Sequence, residues 1–355
     1  APRPPRAWSS RNPSSDPGVR RAERPHAPQR RPVRIIAMPI HPARLERTPE
    51  GVLYSGAFGD VYHSRDNALG QAHTVFIAGN GLPQRWQGRE RFTIVETGFG
   101  AGLNFLATWA AWRDDACRSA RLHFVSCELH PFCREDLARV HAAWPELATF
   151  AAELRAQWPV LAPGLHRLNL DAGRVTLTLF LGDAADGLAR IDARADALYL
   201  DGFAPAKNPA LWSERVFHLL AGLAAPDATL ATWSVAGQVR EGLRRAGFTT
   251  EKAPGFGTKW QMLRGRLAHE ARPLAVPEAA TSGRHALVLG AGIAGCTVAE
   301  RLAGRGWTVE LIDRAPAPAT GASGNLAGVL RPLPSLDDNR MSRLTRAGSL
   351  YAWRR

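Results

Sequence analysis

One stretch carries most of the information about the fold: Val95-Glu96-Thr97-Gly98-Phe99-Gly100-Ala101-Gly102-Leu103-Asn104-Phe105. It follows the β-branched and aromatic run Phe92-Thr93-Ile94-Val95, which is typical of a buried parallel strand. Apolar residues then recur at helical spacing from Leu103 to Ala110. This order of strand, three alternate glycines and helix start predicts a nucleotide-binding turn. The glycines allow close approach of a ligand, and the helix N-terminus offers free N–H groups.

The acid of this motif narrows the choice of ligand. The carboxylate of Glu96 would repel a phosphate placed directly over the turn, so the motif favours a ligand with an amino group or a sulfonium. S-adenosylmethionine is such a ligand, and we expect it to lie against Glu96, Gly98, Gly100 and Gly102. A glycine-rich turn by itself is better explained as an ordinary strand-to-helix connection, so the nucleotide interpretation depends on the later strands.

Two later strands end on residues that favour a nucleotide. The strand predicted at 122–127 ends on Glu128, whose carboxylate is expected to accept both ribose hydroxyls of an adenosine. The strand predicted at 175–181 ends on Gly182-Asp183, which is expected to meet the adenine edge. This succession of glycines, an acid and a Gly-Asp pair favours the nucleotide site over an ordinary turn.

The order of predicted elements defines the fold class as α/β. Strands and helices alternate after Glu96, which predicts a doubly wound, Rossmann-like parallel sheet with closing antiparallel strands up to Leu263. A hairpin is expected to turn at Ala172-Gly173. Residues 56–64 and 74–81 are expected to be short strand-like pieces, and residues 131–161, 211–223 and 235–246 are expected to be helical.

A second nucleotide motif follows a Pro-, Ala- and Ser-rich linker at 269–284. A strand, the G-x-G-x-x-G fingerprint, a helix, a second strand and an acid fall in the order that dinucleotide binding requires. The turn at 321–325 is placed as in flavin oxidases that clamp the FAD pyrophosphate from two loops. The candidate FAD contacts are Gly290, Gly292, Gly295, Asp313, Ser323 and Asn325.

The composition of the 355 residues indicates a cytoplasmic globular protein with an anionic partner. The net charge of +13 favours such a partner. The Arg- and Pro-rich tail at 1–34 is expected to be disordered, as a solvated extension or as a non-specific RNA-binding arm. The four cysteines form no C-x-x-C pair, so we expect reduced thiols and no metal site. No segment has the apolar run of a membrane span, and no protein partner is indicated.

Taken together, the motifs resemble those of the bacterial bifunctional tRNA 5-methylaminomethyl-2-thiouridine biosynthesis proteins. The longest matching run is Leu200-Asp201-Gly202-Phe203-Ala204-Pro205-Ala206-Lys207-Asn208-Pro209. Further matches are Phe58 with Asp60-Val61-Tyr62, Gly79-Asn80, the glycine motif at 96–105, Gly255-Phe256-Gly257 with Lys259, and 321–325.

This resemblance implies two reactions on a modified wobble uridine of tRNA. The FAD half removes the carboxymethyl group from a carboxymethylaminomethyl side chain, and the first half then methylates the amine with S-adenosylmethionine. It implies a methyltransferase domain at 35–268 and the start of an FAD-binding domain at 285–355. Because this second domain stops soon after Asn325, before most of its substrate portion, we expect it to lack flavin and oxidase activity.

The matched motifs also suggest roles for individual residues. Asp201 is expected to orient the substrate amine and take its proton, although it could instead be a structural acid that caps the loop. Phe203 and Pro205 are expected to shape a base pocket. Lys207 and Lys259 are candidates for phosphate or base contacts, or else solvated surface lysines. Asn104 is carried over from the glycine motif as a further S-adenosylmethionine contact.

Three functions therefore compete. The first is a tRNA methyltransferase with an incomplete flavoprotein half, and the second is an FAD-dependent amine oxidase whose first domain docks RNA. The third is a non-enzymatic, basic RNA-binding protein. The acids Glu96, Glu128 and Asp183 around a glycine turn favour the first over the third, because a plain RNA binder has no use for them.

Overall fold

The computed structural model describes residues 39–64, 67–257, 259–268 and 283–353. The strands are β1 (Glu46–Arg47), β2 (Leu53–Ser55), β3 (Asp60–Val61), β4 (Arg91–Glu96), β5 (Arg121–Glu128), β6 (Gly164–Leu170), β7 (Val175–Leu181), β8 (Ala195–Tyr199), β9 (Ala224–Thr232), β10 (Phe248–Phe256), β11 (Lys259–Leu267), β12 (His285–Leu289) and β13 (Thr308–Ile312). The α-helices are α1 (Ala68–Gln71), α2 (Leu103–Asp114), α3 (Arg134–His141), α4 (Ala148–Ala156), α5 (Ala184–Leu188), α6 (Glu214–Leu223), α7 (Gly237–Arg245), α8 (Ile293–Ala303) and α9 (Arg340–Ala352). The predicted tail at 1–34 and the linker residues 269–282 lie outside the described residues.

The central sheet has eight strands in the order β10-β11-β9-β8-β4-β5-β7-β6. The five strands from β9 to β7 are parallel, whereas β6 runs antiparallel to β7, and β11 runs antiparallel to both β9 and β10. The doubly wound sheet, the hairpin and the closing antiparallel strands predicted from the sequence are thereby confirmed. The chain leaves β4 toward β5 on one side and later toward β8 on the other, so the carboxyl ends of β4 and β8 flank the crevice where such sheets bind ligands.

Apolar side chains cover the sheet on both faces, as a parallel sheet requires. On β4, Phe92 and Ile94 join the core layer that contains α2, α3 and α4, while Val95 joins the layer that contains α5, α6 and α7. This alternation is the period of two that a strand imposes on its side chains. The first layer includes the fully buried rings of Trp109 and Trp112.

The segment at 74–81 corrects one expectation. Instead of a strand, residues Ala72–Ile77 form a π-helical turn and residues Ala78–Asn80 a 3-10 turn. Val75, Phe76 and Ile77 are buried in the first core layer, and the Phe76 ring lies 5.3 Å from that of Tyr199 on β8. Their β-branched and aromatic character therefore serves packing against the sheet and not strand pairing.

The second motif forms a separate parallel pair of strands, β12 and β13, joined by α8. Its apolar residues are poorly covered, since Leu289 is 75% exposed and Ile293 is 74% exposed. Farther along, α9 packs against the edge strand β6, where the amide of Asn169 donates to the Tyr351 hydroxyl at 2.9 Å. Among the described helices, none combines the length and the apolar character needed to cross a membrane.

Candidate active site

A cleft opens at the carboxyl ends of β4 and β8. Several residues predicted from the sequence line it together: Gly98, Gly100, Asn104, Glu128, Gly182, Asp183, Asp201 and Phe203. The turn that follows β4 forms the floor. A side chain at Gly98 would place its Cβ 2.9 Å from the carbonyl oxygen of Asp201, so only glycine allows this approach of the two backbones. Gly100 has a φ of +54°, and a Cβ there would lie 3.3 Å from the Tyr62 ring.

Glu96 lies behind the cleft wall and not in it, which corrects the expectation that its carboxylate faces the ligand. It is only 1% exposed, and it accepts hydrogen bonds from the Asn104 amide at 3.0 Å and the Ser126 hydroxyl at 2.7 Å. Burial, and then the nearby charge of Asp201, raise the pKa of Glu96 to about 8. We therefore treat Glu96 as a neutral acid at pH 7 that supports its neighbours.

Asn104 connects Glu96 to Asp201. Its amide nitrogen donates to Glu96 and also to Oδ2 of Asp201, at 2.7 Å. The other oxygen of Asp201 accepts from the backbone N–H of Gly202 at 2.8 Å and from the indole N–H of Trp233 at 3.2 Å. Three donors thus fix the orientation of a carboxylate that also borders the cleft. Nothing in the sequence links these positions, since Asn104 and Asp201 are 97 residues apart.

Glu128 ends β5 beside the glycine turn. One of its oxygens accepts from the backbone N–H of Gly100 at 2.6 Å, and the other accepts from that of His130 at 2.8 Å. Burial raises the pKa of Glu128, and these two N–H donors oppose that rise. Each oxygen keeps a second lone pair, so the carboxylate can still accept ribose hydroxyls as the sequence predicts.

Gly182 and Asp183 follow β7 at the far side of the cleft. Asp183 caps the short helix α5, where its Oδ1 accepts from the backbone N–H of Asp186 at 3.1 Å. The side chain is exposed and borders the cleft, so its second oxygen is available to a ligand. This geometry is compatible with the predicted contact to an adenine amino group.

The mouth of the cleft is formed by a segment that sequence reasoning did not assign to the site, residues 58–63, which we call the strap. The Phe58 ring stacks on Phe203 with centroids 4.7 Å apart, and Tyr62 meets Phe203 edge-on at 5.0 Å. Asp60 accepts from the backbone N–H of Ala204 at 2.8 Å. Lys207 of the same loop also donates to the carbonyl oxygen of Gly59, so polar contacts and an aromatic cluster hold the strap against the Asp201 loop. Phe58 with Asp60-Val61-Tyr62 was recognised only as a matching motif.

Three further predicted residues stand outside the cleft. Gly102 precedes α2, Pro205 is buried in the loop, and Lys207 is exposed and pairs with Asp60 of the strap at 3.6 Å. Lys207 thus supports the strap in this structure and does not point into the base pocket. Lys259 begins β11, and its side chain lies outside the described part of the chain. His63, Phe76 and Trp144 line the cleft without having been predicted to do so.

The second motif has the local geometry of a dinucleotide turn. A Cβ at Gly295 would lie 1.8 Å from the carbonyl oxygen of Gly290, so only glycine allows the close contact between α8 and β12. Asp313 accepts from the backbone N–H of Ala291 at 2.6 Å, and Ser323 accepts from that of Ile293 at 3.0 Å. The two glycine turns therefore contact each other through Ser323. Asn325 follows the second turn and is exposed.

The sheet order, the glycine turn, the acid after β5 and the fixed carboxylate after β8 define an S-adenosylmethionine-dependent methyltransferase. Residues 145–268 match the family described as S-adenosyl-L-methionine-dependent methyltransferase, and residues 285–355 match the family described as FAD dependent oxidoreductase. Within the described residues, no group of three or more His, Cys, Asp or Glu side chains is arranged to hold a metal ion.

Similar proteins narrow the family further. The chain is 72% identical over 317 residues to the tRNA 5-methylaminomethyl-2-thiouridine biosynthesis bifunctional protein MnmC of Azoarcus sp. (strain BH72), covering 89% of this chain and 49% of that protein. It is 63% identical over 314 residues to the protein of the same name from Aromatoleum aromaticum, covering 88% and 49%. The chain spans about half the length of these relatives.

A solved structure has the same fold. The crystal structure of MNMC2 from Aquifex aeolicus superimposes with a TM-score of 0.50 at 22% identity, covering 67% of this chain and 74% of that one. At this level of identity the likeness shows a shared fold.

Proposed function

We propose that this chain methylates the amine of a 5-aminomethyluridine, with or without 2-thiolation, at the wobble position of tRNA, using S-adenosylmethionine as the methyl donor. The observation that carries the proposal is the Asp201 carboxylate, held by three donors at the wall of the cleft, directly above the glycine turn. The names of the similar proteins supply the substrate, since they make 5-methylaminomethyl-2-thiouridine in tRNA.

The cofactor site fits S-adenosylmethionine by its donor set. The glycine turn lets a ligand approach the backbone at Gly98 and Gly100, Glu128 offers lone pairs for two hydroxyls, and Asp183 offers an acceptor for an amino group. When bound, S-adenosylmethionine supplies an electrophilic methyl group. The neutral Glu96 behind the turn adds no second charge next to Asp201 at pH 7.

The chemistry that the protein must supply is the orientation and deprotonation of an amine. An ammonium has no lone pair to attack with, so a carboxylate has to accept its proton directly or through water. Asp201 meets this need because its two oxygens are fixed by Asn104, Gly202 and Trp233 and still border the cleft. Holding the amine in line with the methyl group is the larger part of the catalysis.

The mouth of the cleft suits an unstacked base. Phe58, Tyr62 and Phe203 present partly exposed rings there, and enzymes that modify a nucleotide commonly hold the base between such rings. tRNA is therefore the proposed partner, and a cytoplasmic location follows from that partner. We further propose that the methyltransferase domain spans 35–268 and that 285–355 begins an FAD-binding domain after a linker at 269–284.

The test is methyl transfer from labelled S-adenosylmethionine to tRNA that carries 5-aminomethyluridine. Asp201→Asn keeps the shape of the side chain but removes the proton acceptor, so we expect a loss of about two to four decades in rate with cofactor binding retained. Asp186→Asn, at an exposed carboxylate beside the cap of α5, is the matched control and should keep normal turnover. Near-normal turnover of Asp201→Asn at saturating tRNA would show that Asp201 is structural.

A further inference from the structure

A group of arginines lies where the β12–α8–β13 unit meets the central sheet. We call it the arginine cluster; its members are Arg91, Arg121, Arg167, Arg284 and Arg305. The sheet register places Arg91 directly beside Arg121, at the amino ends of β4 and β5. A Cβ at Gly306 would lie 3.4 Å from the Arg121 guanidinium, which shows how closely the loop after α8 approaches the sheet.

This part of the sheet face is polar by its sequence. Strand alternation puts Arg121 and His123 on the same face of β5 as Val125, which belongs to the second core layer. The His123 ring lies 2.9 Å from the hydroxyl of Thr178 on β7, and the same hydroxyl accepts from the Arg167 guanidinium at 3.3 Å. Apolar side chains normally cover such a face of a parallel sheet. The hydrogen-bond donors Arg121, His123 and Arg167 on this face therefore need another explanation.

Three of the five positive charges of the cluster are poorly balanced. Arg284 pairs with Glu90, but no described carboxylate lies within ion-pair distance of Arg91, Arg121 or Arg305. Burial and then the charge of Arg284 lower the pKa of Arg121; the charge of Glu90 opposes this fall, and that of Arg305 adds to it. Burial and the surrounding arginines also lower the pKa of His123 to about 4. An oxyanion at this place would offset the repulsion.

We propose that the arginine cluster binds phosphate groups of an RNA backbone, an inference that rests on the tRNA substrate of the proposed function. Arg91, Arg167 and Arg305 are exposed, so an extended polyanion can reach them from solvent. The guanidinium group suits phosphate because it can donate two parallel hydrogen bonds.

The position of the cluster fits a role in docking. β5 has eight residues, with Arg121 at its start and Glu128 at the cleft. At about 3.3 Å per residue these two positions are about 23 Å apart, so one folded RNA can contact both. Phosphate contacts of this kind set the position of a nucleic acid without reading its sequence.

The test variant is the double substitution Arg121→Gln/Arg305→Gln. Its control is Arg215→Gln/Arg240→Gln, which removes the same charge from exposed residues of α6 and α7. Binding of tRNA is measured against salt concentration, and thermal melting checks that both variants fold. We expect the cluster variant to bind about tenfold more weakly at low salt and to reduce the salt slope by about 1 to 2, because two phosphate contacts are lost. A slope equal to that of the control variant would overturn the proposal.

Two further measurements separate the possible outcomes. The first measures the pKa of His123 by NMR at increasing concentrations of inorganic phosphate. If an anion enters the cluster, this pKa should rise. Phosphate could raise the pKa of His123 while the cluster variant and the control variant show the same dependence of tRNA affinity on salt. The cluster would then be a site for small anions, and the RNA proposal would fail. Methyl transfer by the unchanged protein is assayed in parallel. If no methylated product forms, but the cluster variant still shows a smaller salt dependence of tRNA binding than the control variant, the proposed function is rejected and RNA binding by the cluster is supported.

Discussion

At the scale of single residues, the polar chain from Glu96 through Asn104 to Asp201 decides what the cleft can do. The sequence predicted that all three residues belong to the site, but it did not predict the order in which they bond. The burial of Glu96 could have been predicted from its position. It lies two and four residues after Ile94 and Phe92 on the same strand, so its side chain points to the same face as theirs, which enter the core. The partnership of Asn104 with Asp201 had no such signal, because it depends on how β4 and β8 pair.

The raised pKa of Glu96 predicts a pH-dependent stability difference. The folded state holds a proton on Glu96 up to about pH 8, whereas an ordinary glutamate loses it near 4.5. Between these values the folded state binds more protons, so this group makes stability fall as pH rises, by at most about 1.4 kcal/mol per unit. Glu96→Gln cannot ionise and lacks this loss.

We therefore expect the free energy of unfolding of Glu96→Gln, relative to the unchanged protein, to increase from about pH 4.5 to about pH 8 and then level off. Urea melts across this range measure it. A difference that stays constant with pH would mean that Glu96 is already ionised in the folded protein.

The glycine turn allows a residue-level test of the cofactor site. Gly100→Val should abolish binding of S-adenosylmethionine, because φ is +54° and the new side chain would enter the space between the turn and Tyr62. Gly88→Val is the matched control, since φ is +67° there but nothing lies within 4 Å. Both variants should lose about 1 to 2 kcal/mol of stability. Calorimetry should detect the loss of binding in the first alone, and unchanged affinity in it would reject the assignment.

At the scale of elements, the sequence predicted the parallel strands well and the segment before them poorly. The parallel strands β4, β5, β7 and β8 carry apolar runs that end beside glycine, aspartate or glutamate, and these signals are local. The helical turn at 72–80 has the composition of a strand, and only its burial between β9, β10 and α2 makes it helical. The strap escaped assignment for the same reason, since its partner loop lies 144 residues farther along the chain.

Two helical glycines should respond in opposite ways to the same substitution. A Cβ at Gly79 would lie 2.9 Å from that of Ala231 on β9, so Gly79→Ala should destabilise the protein by about 1 to 3 kcal/mol. A Cβ at Gly222 in α6 would meet nothing within 4 Å, so Gly222→Ala should stabilise it by about 0.5 to 1 kcal/mol. Chemical denaturation of both variants measures the contrast. Equal effects would indicate that the 3-10 turn does not pack on β9 as described.

At the scale of the whole molecule, the two nucleotide motifs differ in how well they are supported. The first lies on a sheet that is covered on both faces, whereas the apolar residues of β12 and β13 remain partly or largely exposed. Sequence alone predicted both motifs equally well because a fingerprint reports only the turn. Whether the surrounding layers exist depends on residues far from the fingerprint.

The exposed second motif predicts the flavin content of this 355-residue chain. Since neither face of β12 and β13 is buried, we expect the purified chain to contain much less than one FAD per molecule and to show no amine oxidase activity. The methyltransferase activity should be unaffected. The flavin content is measured by the visible absorbance of the purified protein before and after incubation with FAD. Stoichiometric flavin that co-purifies would contradict the expectation.

The place of β11 in the sheet has a consequence for biosynthesis. β11 lies between β9 and β10 although it is made after both, so the edge of β9 stays unpaired until the ribosome has produced Leu267. At about 5 to 20 residues per second, the 35 residues from Thr232 to Leu267 take about 2 to 7 s. During that interval a long unpaired strand is open to contacts with other nascent chains. Proteolysis of ribosome-bound chains should therefore find β9 protected only after β11 has left the exit tunnel. Protection of β9 in chains that end before Lys259 would exclude this order of assembly.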